Sequence, residues 1–209
     1  MWRFPLAPGI IDLMVVSTGH EIEVKLRCDS VASLEHAGIK LTLERARHFE
    51  ENWLFDTPDH QLGSGLAVLR VRAMEGAGLL TYKAPPPAGS PISQFKKRIE
   101  IETTIGDPMR MVAILTHMGY RKWFHYQKYR TVYDALLPNG ARLQVMFDET
   151  PIGSFLELEG EEEAIAEAMQ LLGARRDEQI LLSYLALQAE RCSHEGRPFE
   201  DLVFDPIVG

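Results

Sequence analysis

Charged and apolar residues alternate with a period of two along His20-Glu21-Ile22-Glu23-Val24-Lys25-Leu26-Arg27. In a strand this places Glu21, Glu23, Lys25 and Arg27 on one face and Ile22, Val24 and Leu26 on the other. The scheme returns at Leu69–Arg72, Leu80–Lys83, Arg98–Glu102, Lys128–Thr131, Arg142–Asp148 and Phe155–Glu159. A less regular, aromatic-rich strand over Leu41 to Phe55 brings the number to eight. Pro138-Asn139-Gly140 and Glu75-Gly76-Ala77-Gly78 are hairpin signals, so their flanking strands are expected to be antiparallel.

Between the strands the period changes to that of helices. Ser30 can cap a helix over Val31–Ala37, and Asp107-Pro108 opens another that Gly119 stops. Glu161–Leu172 and Asp177–Arg191 carry apolar residues at helical spacing, with acids in the first turn. Such amphipathic helices need a sheet to cover, and the Ile/Val/Leu face of the strands supplies one. The expectation is an α+β fold with a single domain over 19–192, a loose lead-in over 1–18 and a tail over 193–209 that packs on the domain.

Composition narrows the function. The 209 residues hold 22 bases and 30 acids, a net charge of −8, which argues against a broad nucleic-acid-binding face. The apolar stretch Ile10 to Val16 is too short to span a bilayer and lacks a cleavage pattern, so no membrane association is expected and the cytoplasm is the default location. Cys28 and Cys192 stand far apart without metal spacing and read as packing residues. No GxxxxGK[ST] motif occurs.

The charged strand face holds the candidate chemistry. Lys25, Arg27, Arg70, Arg72, Lys83, Arg98, Lys128, Arg130 and Arg142 outnumber Glu21, Glu23, Glu100, Glu102, Asp148, Glu157 and Glu159 by two, in a chain that is otherwise acidic. Alternation ordinarily turns such a face to solvent. Here three Glu-x-Glu pairs aim carboxylates in parallel, which is costly unless cations lie between them. Oxygen ligands of this kind suit Mg²⁺ or Mn²⁺, and bases aimed into the same space would hold a polyanion. Closed into a barrel, eight strands enclose room for one small ligand.

Glu21-Ile22-Glu23-Val24-Lys25 resembles the E-x-E-x-K signature of the CYTH superfamily, the triphosphate tunnel metalloenzymes. Leu54–Asp59, Leu69–Arg72, Leu80–Lys83, Arg98–Glu102, Lys128–Arg130, Asp148-Glu149, Gly153, Glu157–Glu159 and Ser183-Tyr184 follow in the family's order. The resemblance covers roughly 20 to 190. It implies an eight-stranded antiparallel β-barrel, a tunnel with its charges inside, covered by the helices. It also implies Mg²⁺ or Mn²⁺ as cofactor and a small-molecule triphosphate as substrate. Arg70, Arg72, Lys83, Lys128 and Arg130 would grip the triphosphate. Glu21, Glu23, Glu100, Glu102, Asp148, Glu157 and Glu159 would hold the metals, directly or through water. Glu21, Glu23 and Lys25 would form the catalytic group, with Lys25 either orienting a phosphate or assisting attack.

Three functions are consistent with these residues. The first is metal-dependent hydrolysis of an inorganic, thiamine or nucleoside triphosphate. The second is a class IV adenylate cyclase, converting ATP to cyclic AMP and pyrophosphate. The third is a non-catalytic polyphosphate-binding module. A homodimer is compatible with the resemblance, although no heptad seam marks one. Arg27, Arg98 and Arg142 share the face but could equally lie at the tunnel mouths, and His20 reads as a strand-end residue. Trp53, Phe55, Trp123, Phe124 and Tyr126 read as core or rim packing.

Overall fold

The computed structural model describes residues 17–205; residues 1–16 of the expected lead-in and the last four residues of the expected tail lie outside it. Ser17 and Thr18, at the end of that lead-in, already belong to the first strand. Eight strands close into an antiparallel barrel: β1 (Ser17–Arg27), β2 (Lys40–Asp56), β3 (Val68–Met74), β4 (Ala77–Ala84), β5 (Lys96–Ile105), β6 (Arg121–Leu136), β7 (Arg142–Thr150) and β8 (Gly153–Glu159). Their order around the wall is β1-β5-β4-β3-β2-β6-β7-β8. Strand β1 closes the ring by pairing with β5 through its first half and with β8 from Glu23 onward.

Period-two alternation sorts the side chains. The apolar faces turn outward and are covered by helices, so the charged faces turn inward, the reverse of an ordinary solvated sheet. Helix α4 (Glu162–Leu171) lays Ile165, Ala168 and Met169 over Val24, Leu158 and Val145. Helix α3 (Pro108–His117) covers Trp53, Phe55 and Val71 with Leu115 and Met111. Its Asp107 cap accepts the Arg110 amide at 3.0 Å, and proline occupies the first turn. The β3/β4 turn tucks beneath this helix: a Cβ on Gly78 would stand 2.5 Å from Pro108 Cγ and 2.8 Å from Ile105 Cγ1. Gly76 supplies the positive φ that the same turn requires.

Helices α1 (Ala32–His36) and α2 (Gln61–Ser64) are short connectors. Asp56 fixes the second by accepting the backbone amides of Thr57, Leu62 and Gly63 at 2.7 to 2.9 Å.

The expected helix over Asp177–Arg191 starts later. Arg176–Glu178 form one 3-10 turn, Ile180 exchanges backbone hydrogen bonds with Lys25, and α5 runs from Tyr184 to His194. Strand β1 claims Ile180, and the Ser183 hydroxyl, accepting from the Ala186 amide, sets the new start. Beyond α5, Leu202 pairs with the edge of β6 beside Tyr126, where β7 has not yet begun. Among the described residues no helix is long and apolar enough to cross a membrane.

Candidate active site

Inside the barrel the charged residues meet as direct cross-strand neighbours. Register places Lys25 opposite Glu157, Glu23 opposite Glu159 and Lys96, Lys83 opposite Glu100, and Arg130 opposite Asp148. All of these but Glu100 and Asp148 line a cavity of about 140 Å³. Ser183, Tyr184 and Leu185 from the start of α5 also line it.

One group of charges is organised around Asp148, which is fully buried. Arg130 donates to both its oxygens at 2.6 Å, Lys128 donates at 2.8 Å and the Tyr184 hydroxyl donates at 2.7 Å. Arg130 also donates to Glu157, which meets Lys25 at 3.2 Å on its other side. Glu50 holds Arg72 at 3.3 Å and stands 3.5 Å from Lys128, and Asn52 accepts from Arg72 at 3.0 Å. Burial opposes the ionisation of Glu157 and Glu50. For Glu157 the opposing charges of Arg130 and Lys25 win, and for Glu50 those of Arg72 and Lys128, so both carboxyls stay well below the ordinary range.

The second group gathers around the Glu-x-Glu-x-Lys segment. Glu23 receives Lys25 at 3.0 Å and a short contact from Lys96, and these ammonium groups hold it ionised against its burial. Lys83 donates to both oxygens of Glu21 at 2.5 and 2.6 Å and lies 3.3 Å from Glu100. Burial, a cost to its charged form, is outweighed for Lys25 by Glu157 and Glu23, which raise its pKa, so it stays an ammonium at neutral pH.

Glu159 faces the other way energetically. Burial, followed by the charges of Glu21, Glu23 and Glu100, pushes its carboxyl up to about 7, and burial raises Glu21 as well. A carboxyl with a raised folded-state pKa destabilises the fold as pH climbs from its unfolded value near 4.3 through that raised value. Glu23, Glu50 and Glu157 act oppositely: their contribution is present above that unfolded value and is lost as pH falls through their depressed ones. The metal-free protein should therefore lose stability between about pH 4 and pH 7, the span from the unfolded to the folded pKa of Glu159. Glu159→Gln should flatten that decline in denaturation curves run across the range, and an unchanged slope would remove Glu159 from the account.

These features meet in one family. A CYTH domain model matches residues 19–191. The chain belongs to the CYTH family. A protein of Methanocaldococcus jannaschii whose name proposes an adenylate cyclase, MJ0240, is 28% identical over 184 residues, covering 80% of this chain and 98% of its own length. A Vibrio parahaemolyticus structure, also proposed to be an adenylate cyclase, matches with a TM-score of 0.66 at 19% identity, over 83% of this chain and 99% of its own. HpAC1 from Hippeastrum, described as having a dominant triphosphatase activity, matches with a TM-score of 0.53 at 19% identity, over 85% and 97%. These structural likenesses establish the CYTH barrel.

Within that barrel Arg70, Arg72, Lys83, Lys128 and Arg130 all line the cavity, as do Glu21, Glu23, Lys25, Glu157 and Glu159. Glu100 stands behind Lys83, and Glu102 accepts from Thr81 at 2.7 Å. Asp148 lies beneath the cavity wall with its oxygens engaged by bases and Tyr184. Arg98 reaches the cavity, whereas the exposed Arg142 pairs with Asp134 outside it and Arg27 stacks over Phe155. Tyr126, expected as core or rim packing, packs in a buried cluster with Phe124 and Phe155 and in addition lines the cavity, where it accepts from Arg70 at 3.3 Å. Lys96, Glu50 and Asn52 are charged or polar interior groups that sequence reasoning did not select. Lys96 falls on the same alternation as Arg98, two residues before the expected strand start.

The donor chemistry suits a hard divalent cation. Glu21, Glu23 and Glu159 are oxygen donors; burial, with the neighbouring carboxylates adding to it, raises the pKa of Glu21 and Glu159, and a cation would offset both effects. Among the described residues no three such side chains stand as a ready ligand cluster, and Lys83 and Lys96 contact the oxygens of Glu21 and Glu23.

Proposed function

We propose that this CYTH protein is a divalent-metal-dependent phosphohydrolase that cleaves a triphosphate, inorganic or organic, inside its barrel. The observation that carries the reading is the cavity wall. Eight bases, Lys25, Arg70, Arg72, Lys83, Lys96, Arg98, Lys128 and Arg130, line one small space with four acids, Glu21, Glu23, Glu157 and Glu159, while Glu50, Glu100, Glu102 and Asp148 balance those bases from behind the wall. The surface of the cavity is thus basic while half of its counter-charge lies behind, and a compact polyanion is the ligand that such a surface can take.

Phosphoryl transfer asks little covalent chemistry of the protein, so positioning and charge neutralisation supply the rate. Arg70, Arg72, Lys83, Lys128 and Arg130 would hold the phosphate oxygens, with Lys96 and Arg98 extending the grip. Lys25 stays protonated, so it orients a phosphate as a cation and does not accept the proton of an attacking water. Glu21, Glu23 and Glu159 would hold Mg²⁺ or Mn²⁺, which supplies charge neutralisation at the phosphoryl oxygens and polarises water. Enclosure by the barrel keeps bulk water from the bound phosphates.

A second reading is favoured by the name of the Methanocaldococcus jannaschii relative: the same clamp would hold ATP while its ribose 3′ oxygen attacks the α-phosphorus. Incubation with Mg²⁺ or Mn²⁺ and, separately, tripolyphosphate, ATP or thiamine triphosphate distinguishes the two. The proposal expects phosphate release without cyclic AMP. Cyclic AMP with pyrophosphate would replace it by the cyclase, and tight binding without either product would leave a binding module.

A further inference from the structure

We infer that Tyr184 is a positioning residue that fixes Asp148 and, through it, sets Lys128 and Arg130 for a polyphosphate; this rests on the triphosphate reading of the cavity. Tyr184 is the first residue of α5, and its place is determined from several sides. Ser183 caps the helix, Ile180 is tied to the β1 backbone at Lys25, and the ring packs edge-on to Phe155 with centroids 5.6 Å apart and tilted against Tyr126 at 5.8 Å. The Lys25 and Lys128 ammonium groups stand 5.6 and 5.3 Å from the ring centroid. Its buried hydroxyl donates to Asp148 Oδ2 at 2.7 Å.

A carboxylate offers about four acceptor positions. In Asp148 the four donors are spread unevenly: Oδ1 accepts from Arg130 Nε alone, whereas Arg130 Nη2, Lys128 Nζ and the Tyr184 hydroxyl converge on Oδ2. The hydroxyl shares Oδ2 with Lys128, so it satisfies part of that oxygen without adding a cation. This limits how far the Lys128 ammonium is drawn beneath the wall and leaves its remaining hydrogens for phosphate oxygens. Without the hydroxyl, Oδ2 has Lys128 and Arg130 as its only donors, and both bases settle deeper. Tyr184 thus acts on substrate grip through Asp148 while touching none of Glu21, Glu23 and Glu159, the carboxylates that the triphosphate reading gives to the metal.

Tyr184→Phe keeps the ring and removes only the hydroxyl. With inorganic tripolyphosphate as substrate, KM should rise about tenfold while kcat stays within about threefold, the signature of lost uniform binding. The Mg²⁺ concentration for half-maximal activity should be unchanged. In a double-mutant cycle with Lys128→Met the two effects on KM should be non-additive, since both act through the same oxygen. Additive effects would overturn the inference, as would an unchanged KM in Tyr184→Phe when Lys128→Met alone weakens binding. A shifted Mg²⁺ requirement with KM unaltered would also overturn it, by making Asp148 part of the metal site. Wild-type protein that neither binds nor cleaves tripolyphosphate would remove the triphosphate reading itself, and this inference with it.

Discussion

Arg130→Ala should destabilise the ligand-free protein by about 3–5 kcal/mol, the cost expected when one partner of a buried ion cluster is deleted. The guanidinium is the common partner of Asp148, whose side chain is 0% exposed, and Glu157, at 6%. Removing it leaves two buried carboxylates with only Lys128 and Lys25 to balance them. The loss should shrink at low pH, because without Arg130, Glu157 loses the largest charge that keeps its carboxyl ionised, and chemical denaturation at two pH values would register it. Pairing the change with Asp148→Asn should recover part of the stability, because one of the stranded charges disappears. A loss below about 1 kcal/mol would mean that the cluster is hydrated and far weaker than its geometry indicates.

Glu23→Gln should separate binding from turnover. Glu23 lies between Lys25 and Lys96, and its neutralisation removes one counter-charge from the bases that line the cavity. Tripolyphosphate should then bind at least as tightly, while metal-dependent turnover falls by about 10²–10³, the scale of losing one electrostatic stabiliser of the transition state. Lys83→Ala should do the opposite, weakening binding more than turnover of the saturated enzyme. Calorimetry for affinity and phosphate release for rate give the two numbers for each variant. Retained turnover in Glu23→Gln would place the metal elsewhere in the barrel.

The barrel was legible because its strands carry two alternating stripes, and the helices could be matched to the apolar one. Which stripe faced inward was not decided by the period: a solvated charged face gives the same pattern, and only the resemblance chose the tunnel. Strand limits were the next weakness. The period marks β6 clearly only around Lys128–Thr131, yet the strand spans Arg121–Leu136 because β2 pairs along nearly all of it. Lys96 was overlooked for the same reason, its strand having been expected to start at Arg98. The start of α5 was misplaced because Ile180-Leu181-Leu182 have helical character alone, whereas the backbone of β1 at Lys25 takes Ile180 as a bridge partner. Asp148 and Tyr184 were visible individually. Their union depends on α5 meeting the β6/β7 wall, a contact between residues 36 positions apart that no local pattern encodes.

The most direct test of the central claim is a calorimetric titration of tripolyphosphate into the metal-free protein, with sulfate as the control and wild type beside Lys83→Ala and Arg70→Ala. The account predicts one site per chain, affinity that falls as salt rises, weaker binding in both variants and little response to sulfate at equal concentration. Wild type that takes up no tripolyphosphate, or responds to sulfate equally well, would contradict the assignment of the barrel as a triphosphate site.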